Sequence, residues 1–197
     1  MLKITGKVRG YNVLPTSDIW QPVTNWVCNT HMYDLATAVA ALVRNLQDGR
    51  AYYANGMYIE FDNSGAAVDP VPTVDLSAGY EYYTGLSGDS DFLRVPLTAS
   101  GPGLVSDALK FPRGTNVANF SARTSGTTGA RTVAPLTFSD AANSRVYGGA
   151  LVAMRNSADV TQDLVLARFY FEPVNQIPKA AGQQIGLDWP ITFDWTE

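Results

Sequence analysis

Two acidic residues in one short alternating segment are the first candidates for chemistry in this chain. Glu60 and Asp62 stand two residues apart in GMYIEFDN, residues 56–63, so on a strand their side chains point to the same face. Glycoside hydrolysis uses two carboxyl groups about 5–10 Å apart across a cleft, a distance that such neighbours can meet. A carboxylate-dependent hydrolase of polysaccharide is therefore one hypothesis, with Glu60 as its best candidate.

The remaining polar motifs are better interpreted as turns. TSGTTG, residues 124–129, matches the core of the phosphate-binding loop of adenylate-forming enzymes, but Arg131 and Thr132 stand where that family has Pro and Lys. Asp89 and Asp91 are spaced like the start of a calcium loop, yet no Gly-x5-Glu completion follows. We interpret both segments as solvated polar turns.

The inventory of nucleophiles and metal ligands is small. His31 and Cys28 are the only residues of their types, which excludes a disulfide or a thiolate zinc cage within one chain. We expect Cys28 to be a small buried residue, and His31 to cap a helix or face solvent at its start. No G-x-S-x-G elbow is present. The sequence predicts a non-enzymatic protein with no cofactor and no metal.

Composition narrows the class of partner. The 197 residues are 46% hydrophobic and only 16% charged, with a net charge of −4. Binding to nucleic acid through phosphates needs clustered Lys and Arg, so no nucleic-acid partner is expected. Apolar runs fall short of the ~18 residues of a membrane span, and the N-terminus lacks a secretory signal. We therefore expect no membrane partner and assembly in a cytoplasm.

The second half of the chain alternates apolar and polar residues in short runs separated by turn signals. This pattern predicts a mainly β fold, an antiparallel β-sandwich of jelly-roll type. Pro96 and Pro190 fall inside two runs, so those strands should lie at an edge, carry a bulge or be interrupted. The runs are DFLRVPL (91–97), VANFSART (117–124), RVYGGALVA (145–153), DLVLARFYF (163–171) and IGLDWPITF (185–193).

One α-helix is predicted near the N-terminus, over residues 32–47. Asn29 or Thr30 can cap its start, and Gly49 is placed to end it. The helix either covers the sandwich with its apolar stripe or presents that stripe to a partner. The stripe consists of Leu35, Val39, Leu42, Val43 and Leu46.

Aromatic residues mark the candidate partner interface. We divide the chain into an N-terminal arm, residues 1–30, and a single sandwich domain, residues 31–197. The rings of the arm pack either on the sandwich or on another subunit, since a large aromatic needs burial to offset its ordering entropy. The tyrosines near residue 80 suit cross-strand packing, subunit contact or sugar binding. The candidate interface residues are Leu2, Ile4, Val8, Tyr11, Trp20, Trp26, Tyr80, Tyr82 and Tyr83.

Several segments resemble a family of small β-rich proteins encoded among the virion genes of tailed bacteriophages. The resemblance spans residues 50–195 and leaves the first 30 residues outside. It is carried by YYTGLSGDSDFLRVPL (82–97), NFSARTSGTTG (119–129), NSRVYGGALVAMRNSADVTQDLVLARFYF (143–171) and QIPKAAGQQIGLDWPITF (176–193).

The resemblance implies a structural protein of the virion, and it carries over no catalytic residue. We expect a capsid decoration or cement protein that binds the shell and stabilises subunit contacts. The alternative is a tail fibre, tail adaptor or host-receptor-binding module. The implied partners are capsid or tail proteins of the same particle, with a homo-oligomer, a trimer or hexamer, suited to viral lattices.

Overall fold

The computed structural model describes twelve stretches of the chain, and the structural statements below concern these residues. They are residues 2–13, 20–69, 76–77, 79, 81–84, 90–97, 115–123, 129–130, 135–136, 144–156, 159–179 and 184–195. The predicted turn at 124–128 and Asp89 lie outside them.

The described residues form mainly β-strands, with one α-helix of three turns and a second of one turn. The helices are α1 (Tyr33–Val43) and α2 (Glu81–Thr84), and 3-10 turns span Val160–Gln162 and Pro173–Asn175. The strands are β1 (Leu2–Val13), β2 (Trp20–Pro22), β3 (Val27–Cys28), β4 (Thr30–His31), β5 (Gly56–Asp62), β6 (Ser90–Pro96), β7 (Thr115–Arg123), β8 (Gly129–Ala130), β9 (Pro135–Leu136), β10 (Ser144–Ala153), β11 (Leu164–Tyr170), β12 (Ile177–Lys179) and β13 (Gln184–Trp195).

Two antiparallel sheets carry most of these strands, as the sequence predicts. The first sheet has the order β2-β1-β13-β7, with β3 also paired to β1. The second has the order β4-β11-β10-β5-β6, with β12 paired to β10. Strands β8 and β9 pair with each other. All five predicted runs of the second half are confirmed as strands, within one or two residues at each end.

The main hydrophobic core lies between the two sheets. Val8, Leu187 and Trp189 reach it from the first sheet, and Ile59 and Phe169 from the second, all of them buried. The Phe169 and Trp189 rings meet edge to face with centroids 5.1 Å apart, a favoured aromatic geometry. The mainly β, sandwich prediction is therefore confirmed.

The second sheet is also covered on its other face. All seven residues of β5 are buried, which identifies it as a strand enclosed on both sides. Alternation sends Met57, Ile59 and Phe61 to the main core, while Tyr58 joins a second cluster with Tyr83 of α2. The polar residues of this second face are thus placed inside the protein.

The proposed boundary between an arm and a sandwich does not separate two structural units. Strand β1 is an interior strand whose pairing with β13 runs from Leu2↔Trp195 to Val13↔Gln184. Val8 is fully buried in the main core. The expectation of an arm fails for residues 2–13 because their partner strand lies at the opposite end of the chain, where no local pattern reveals the pairing.

The predicted interruption at Pro190 is present in an interior strand. The β1–β13 ladder has a gap between Gly6↔Ile191 and Arg9↔Asp188, with the same register on both sides, while the strand β13 itself continues through Pro190. Proline has no N–H to donate, so a ladder breaks most readily at this position. Pro96 ends β6, the terminal strand in the order of the second sheet.

Helix α1 is shorter than predicted and ends at a different residue. Asn45, with φ of 50°, occupies the left-handed region that follows many helices. The N–H of Leu46 donates to the Ala41 carbonyl and that of Asn45 to the Leu42 carbonyl, each at 3.0 Å, which is the Schellman arrangement. Gly49 therefore lies beyond the helix end.

The start of α1 also differs from the prediction. Met32 is the N-cap residue and makes no side-chain capping bond, while Thr30 belongs to β4. The Asp34 carboxylate instead accepts a hydrogen bond from the Val165 N–H of β11 at 2.9 Å. This bond ties the first turn of α1 to the second sheet.

Truncation of Val8 tests the integration of β1 into the core. We expect Val8→Ala to lower the free energy of unfolding by about 2 kcal/mol, because it removes buried methyl groups and leaves a cavity. Val23→Ala is the matched control, since Val23 is 41% exposed and should change stability little. Urea unfolding measures both. Equal stability of the two variants would contradict the burial of β1.

The single histidine gives a pH-dependent test of the β4–β11 contact. His31 pairs with Ala167 and is half-buried, and burial lowers the pKa of its imidazole below 6.5, opposed in part by the nearby Ile4 backbone. The unfolded chain then binds the proton first, so the histidine's stabilising contribution is present above pH 6.5 and is lost as the pH falls through the folded pKa.

We therefore expect the stability difference between wild type and His31→Gln to be constant above about pH 7.5 and to change as the pH falls below 6.5. Urea unfolding across this range measures the difference, and NMR titration of the single imidazole gives its pKa directly. An imidazole pKa at or above 6.5 would refute the burial of His31.

Candidate interaction surfaces

The structure separates the predicted interface residues into buried and exposed groups. Val8 is fully buried and Tyr83 is 2% exposed, so neither is available to a partner, and the half-buried Ile4 packs against the main core. Tyr11 and Tyr82 are half-buried, and Trp26 is 38% exposed. The backbones of Leu2 and Trp20 pair within the first sheet. Tyr80, and the side chains of Leu2 and Trp20, lie outside the described structure.

The tyrosines of α2 belong to an internal ion-pair network, which we call the Glu60–Arg168 network. Its members are Glu60 of β5, Arg168 and Tyr170 of β11, and Tyr82 and Tyr83 of α2. The Tyr83 hydroxyl donates to Glu60 Oε1 at 2.7 Å, and Arg168 Nη2 lies 3.5 Å from the same oxygen. Both charged side chains are almost fully buried. The network therefore fastens α2 to two strands of the second sheet.

Aromatic rings enclose the buried guanidinium of this network. The Arg168 guanidinium carbon lies 3.5 Å from the Tyr82 ring centroid and 4.9 Å from that of Tyr170. A desolvated cation over aromatic faces gains electrostatic stabilisation from the ring quadrupoles. The rings thus replace part of the hydration that Arg168 loses on burial.

Burial dominates the protonation of the network. Loss of solvent raises the pKa of Glu60, opposed by the Arg168 charge and by the Tyr83 hydrogen bond. Burial and the Glu60 charge raise the pKa of Tyr82 to about 12 and that of Tyr83 well above 10. Both phenols therefore stay neutral at physiological pH, and the Tyr83 hydroxyl donates its hydrogen bond to Glu60. This arrangement stabilises the second face and holds Glu60 away from solvent.

A second buried ion pair lies on the same sheet. Arg94 of β6 binds Asp163 in bidentate fashion, with Nε–Oδ2 at 2.6 Å and Nη2–Oδ1 at 2.9 Å. The Tyr58 hydroxyl donates to Asp163 Oδ2 at 2.5 Å. The geometry is the strong fork-to-fork type, and it joins β5, β6 and the segment before β11.

These contacts account for the carboxylates considered for catalysis. Glu60 is fully buried beneath Tyr83, so a sugar chain cannot reach it without displacing α2. Asp62 is 8% exposed and accepts hydrogen bonds from the Ser64 N–H and hydroxyl. Their same-face placement was predicted correctly, but both carboxylates already have internal partners.

A group of basic and aromatic side chains lies on the outer face of the first sheet, with Lys7 and Trp26 exposed and Arg9 and Tyr11 half-buried. Lys7 Nζ is 4.7 Å from the Trp26 ring centroid, and the Arg9 guanidinium carbon is 5.8 Å from the centroids of Trp26 and Tyr11. Arg9 Nε also donates to the Thr24 carbonyl at 3.0 Å, which fixes its position. We call Lys7, Arg9, Tyr11 and Trp26 the basic–aromatic surface.

Strand alternation explains why this surface faces outward. Odd-numbered residues of β1 point away from the core that holds Val8, so Lys3 shares the face with the basic–aromatic surface. Asp188 lies directly opposite Arg9, and burial raises the pKa of its carboxyl. The sequence signal for this surface is that Lys3, Lys7 and Arg9 all fall on odd-numbered positions of β1. This signal is hard to recognise because basic residues are scattered along the whole sequence and form no run.

A second exposed surface is apolar and lies on and just beyond α1. Ala38 and Ala41 are the buried residues of the helix, and Ala38 packs against Leu166 and Ala153. Of the predicted stripe, Leu35 packs against this cluster, and the other four aliphatic residues stay exposed, so each of the two expected arrangements holds for part of the stripe. We call this set the aliphatic patch, and it consists of Val39, Leu42, Val43 and Leu46, which are 45, 54, 82 and 41% exposed.

The remaining candidates from the sequence are the lone cysteine, a metal site and a membrane span. Cys28, expected to be buried, is exposed on β3, where it pairs with Lys7. Within the described stretches, no group of three or more His, Cys, Asp and Glu side chains could hold a metal ion. Likewise, no helix among these residues is long and apolar enough to cross a membrane.

Comparison with known proteins does not identify a function for this chain, so a functional proposal must rest on the surfaces described above. No protein family, no curated protein and no solved structure matches this chain.

Removal of one hydroxyl tests the Glu60–Arg168 network. We expect Tyr83→Phe to lower the free energy of unfolding by about 1–3 kcal/mol, because a buried carboxylate loses its hydrogen-bond donor. Tyr53→Phe is the control, since Tyr53 is 61% exposed and should unfold as the wild type does. Urea unfolding at neutral pH compares them. Wild-type stability in Tyr83→Phe would mean that the hydroxyl is not buried against Glu60.

Proposed function

We propose that this chain is a non-enzymatic structural protein of a bacteriophage virion, which decorates the capsid, binds the shell and stabilises contacts between shell subunits. The observation that carries the proposal is the basic–aromatic surface. Trp, Tyr and Arg are the residues most enriched at the energetic centres of protein interfaces. Here they occur together on the outer face of a rigid sheet.

The geometry of the surface lowers the cost of binding. Lys7 and Arg9 flank the Trp26 ring, and the Thr24 carbonyl holds Arg9, so these side chains are ordered before a partner arrives. Preordered side chains lose less conformational entropy on association. The resemblance to virion proteins suggests that the partner is another protein of the particle. The charge and aromatic side chains of the basic–aromatic surface suggest that the partner binds at this surface.

Charge indicates the chemistry of the shell surface that would be bound. The chain carries a net charge of −4, yet this face presents three basic residues, Lys3, Lys7 and Arg9, against two acidic residues, with Asp194 paired to Lys3 and Asp188 paired to Arg9. A partner surface rich in Asp and Glu would be attracted to it and would be oriented by it. We therefore propose an acidic patch on the shell as the binding partner.

The internal contacts of the carboxylates support a non-enzymatic role. A glycosidase must expose one carboxyl group to the glycosidic oxygen and the second to the ring. Glu60 is instead enclosed by Tyr83 and Arg168, and Asp62 holds Ser64. These carboxylates stabilise the fold in the arrangement described.

Substitution of Trp26 tests the proposal on purified particles. We expect Trp26→Ala to weaken binding to the particle at least tenfold, about 1.4 kcal/mol, because it removes the central ring of the surface. Tyr53→Ala, which removes an exposed aromatic elsewhere, should bind as the wild type does. Quantitative mass spectrometry of particles assembled with each variant measures occupancy, and urea unfolding checks that the variants are folded.

The same particles distinguish head from tail. A copy number in the hundreds is expected for a decoration protein, whereas roughly six to eighteen copies would assign the chain to the tail. Lys7→Glu should also weaken binding, by reversing the charge beside Trp26. Full occupancy by both Trp26→Ala and Lys7→Glu would contradict the proposed surface, and absence of the chain from particles would contradict the virion role.

A further inference from the structure

The aliphatic patch is apolar surface that the described part of the chain leaves exposed. Helix α1 is docked by Leu35, Ala38 and Ala41 and by the Asp34 hydrogen bond to β11. None of these contacts involves the four side chains of the patch. Val43 remains 82% exposed on a helix that is held firmly in place.

The charge pattern around the patch restricts what can cover it. No charged residue occurs between Leu35 and Val43, so a charged partner would lose hydration there and gain no ion pair. The rim carries both signs, with exposed Arg44 and Arg50 beside Asp48. A surface with an uncharged centre and a mixed rim is complementary to itself.

We propose that a second copy of this chain covers the aliphatic patch, with α1 of each copy packed against α1 of the other across a two-fold axis. Two-fold interfaces are isologous, so the same patch must fit its own copy without like-charge repulsion. The net charge of −4 would oppose association through an acidic face, and this uncharged face avoids that penalty. A two-fold axis perpendicular to α1 makes the helices antiparallel, which also aligns their dipoles favourably.

The size of the patch sets the strength of the pairing. Four partly exposed aliphatic side chains supply a few hundred Å2 per copy, the size of a functional patch on a monomer. Stable interfaces bury about 1,200–2,000 Å2 in total, so α1 alone supports a weak dimer. Such a contact becomes populated where copies are held close together. It uses a surface other than the basic–aromatic surface and stands without the virion proposal.

Sedimentation of the purified full-length chain tests this pairing directly. We expect the wild-type weight-average mass to rise toward that of a dimer as protein concentration approaches roughly 1 mM. Val43→Glu should remain monomeric, because pairing would bury a carboxylate in an apolar interface without a partner. Val174→Glu is the matched control, since Val174 is 86% exposed outside α1 and should associate as the wild type does. Circular dichroism and urea unfolding confirm that both variants are folded.

Disulfide trapping supplies a second, geometric readout. In a Cys28→Ser background, Val39→Cys should form a cross-linked dimer under mild oxidation, whereas Val174→Cys should not. A wild type that stays monomeric at every concentration would overturn the proposal. So would an oligomer unchanged by Val43→Glu, or cross-linking that is equal at positions 39 and 174. Loss of particle binding by Trp26→Ala with dimerisation intact would leave this pairing standing.

Discussion

The burial of β5 on both faces is the constraint on which the rest of the structure depends. One face of the strand adds Met57, Ile59 and Phe61 to the core between the sheets. The other carries Tyr58 and Glu60 into a second layer, where polar atoms cannot rely on water. Glu60 is met by Arg168 and Tyr83, and Tyr58 by the Asp163–Arg94 pair. Glu60, which suggests catalysis in the sequence, therefore stabilises the fold through its contacts with Arg168 and Tyr83.

Local patterns were sufficient to predict the strands and the class of fold. Alternation located the five long strands of the second half because period two depends only on which residues face a core, whereas the short strands β8, β9 and β12 were not predicted. It could not reveal that β1 pairs with β13, since register between the two ends of a chain is set by the assembled sheet. The first segment was therefore interpreted as an arm, although Val8 is fully buried in the main core.

The sites were harder to predict than the fold because a side chain's use depends on what lies opposite. Helical periodicity identified the stripe containing Val39 and Val43, but not that α1 docks through Ala38 and Ala41. Arg168 lies among apolar residues in LVLARFY, a placement that signals an internal partner for a buried charge. Glu60 could have been paired with it on that ground. The cation–π contacts of Trp26 depend on the β1–β3 register, which no local pattern contains.

The central claim is that polar groups of the second face are closed inside the protein, so partners meet the chain through its exposed surfaces. Hydrogen exchange of the native protein tests this most directly. The account predicts that amides of β5 exchange only with global unfolding, because Tyr83 of α2 and Arg168 of β11 cover the Glu60 face of this strand. Rapid exchange of β5 under native conditions would contradict it, since local opening of this layer would expose Glu60.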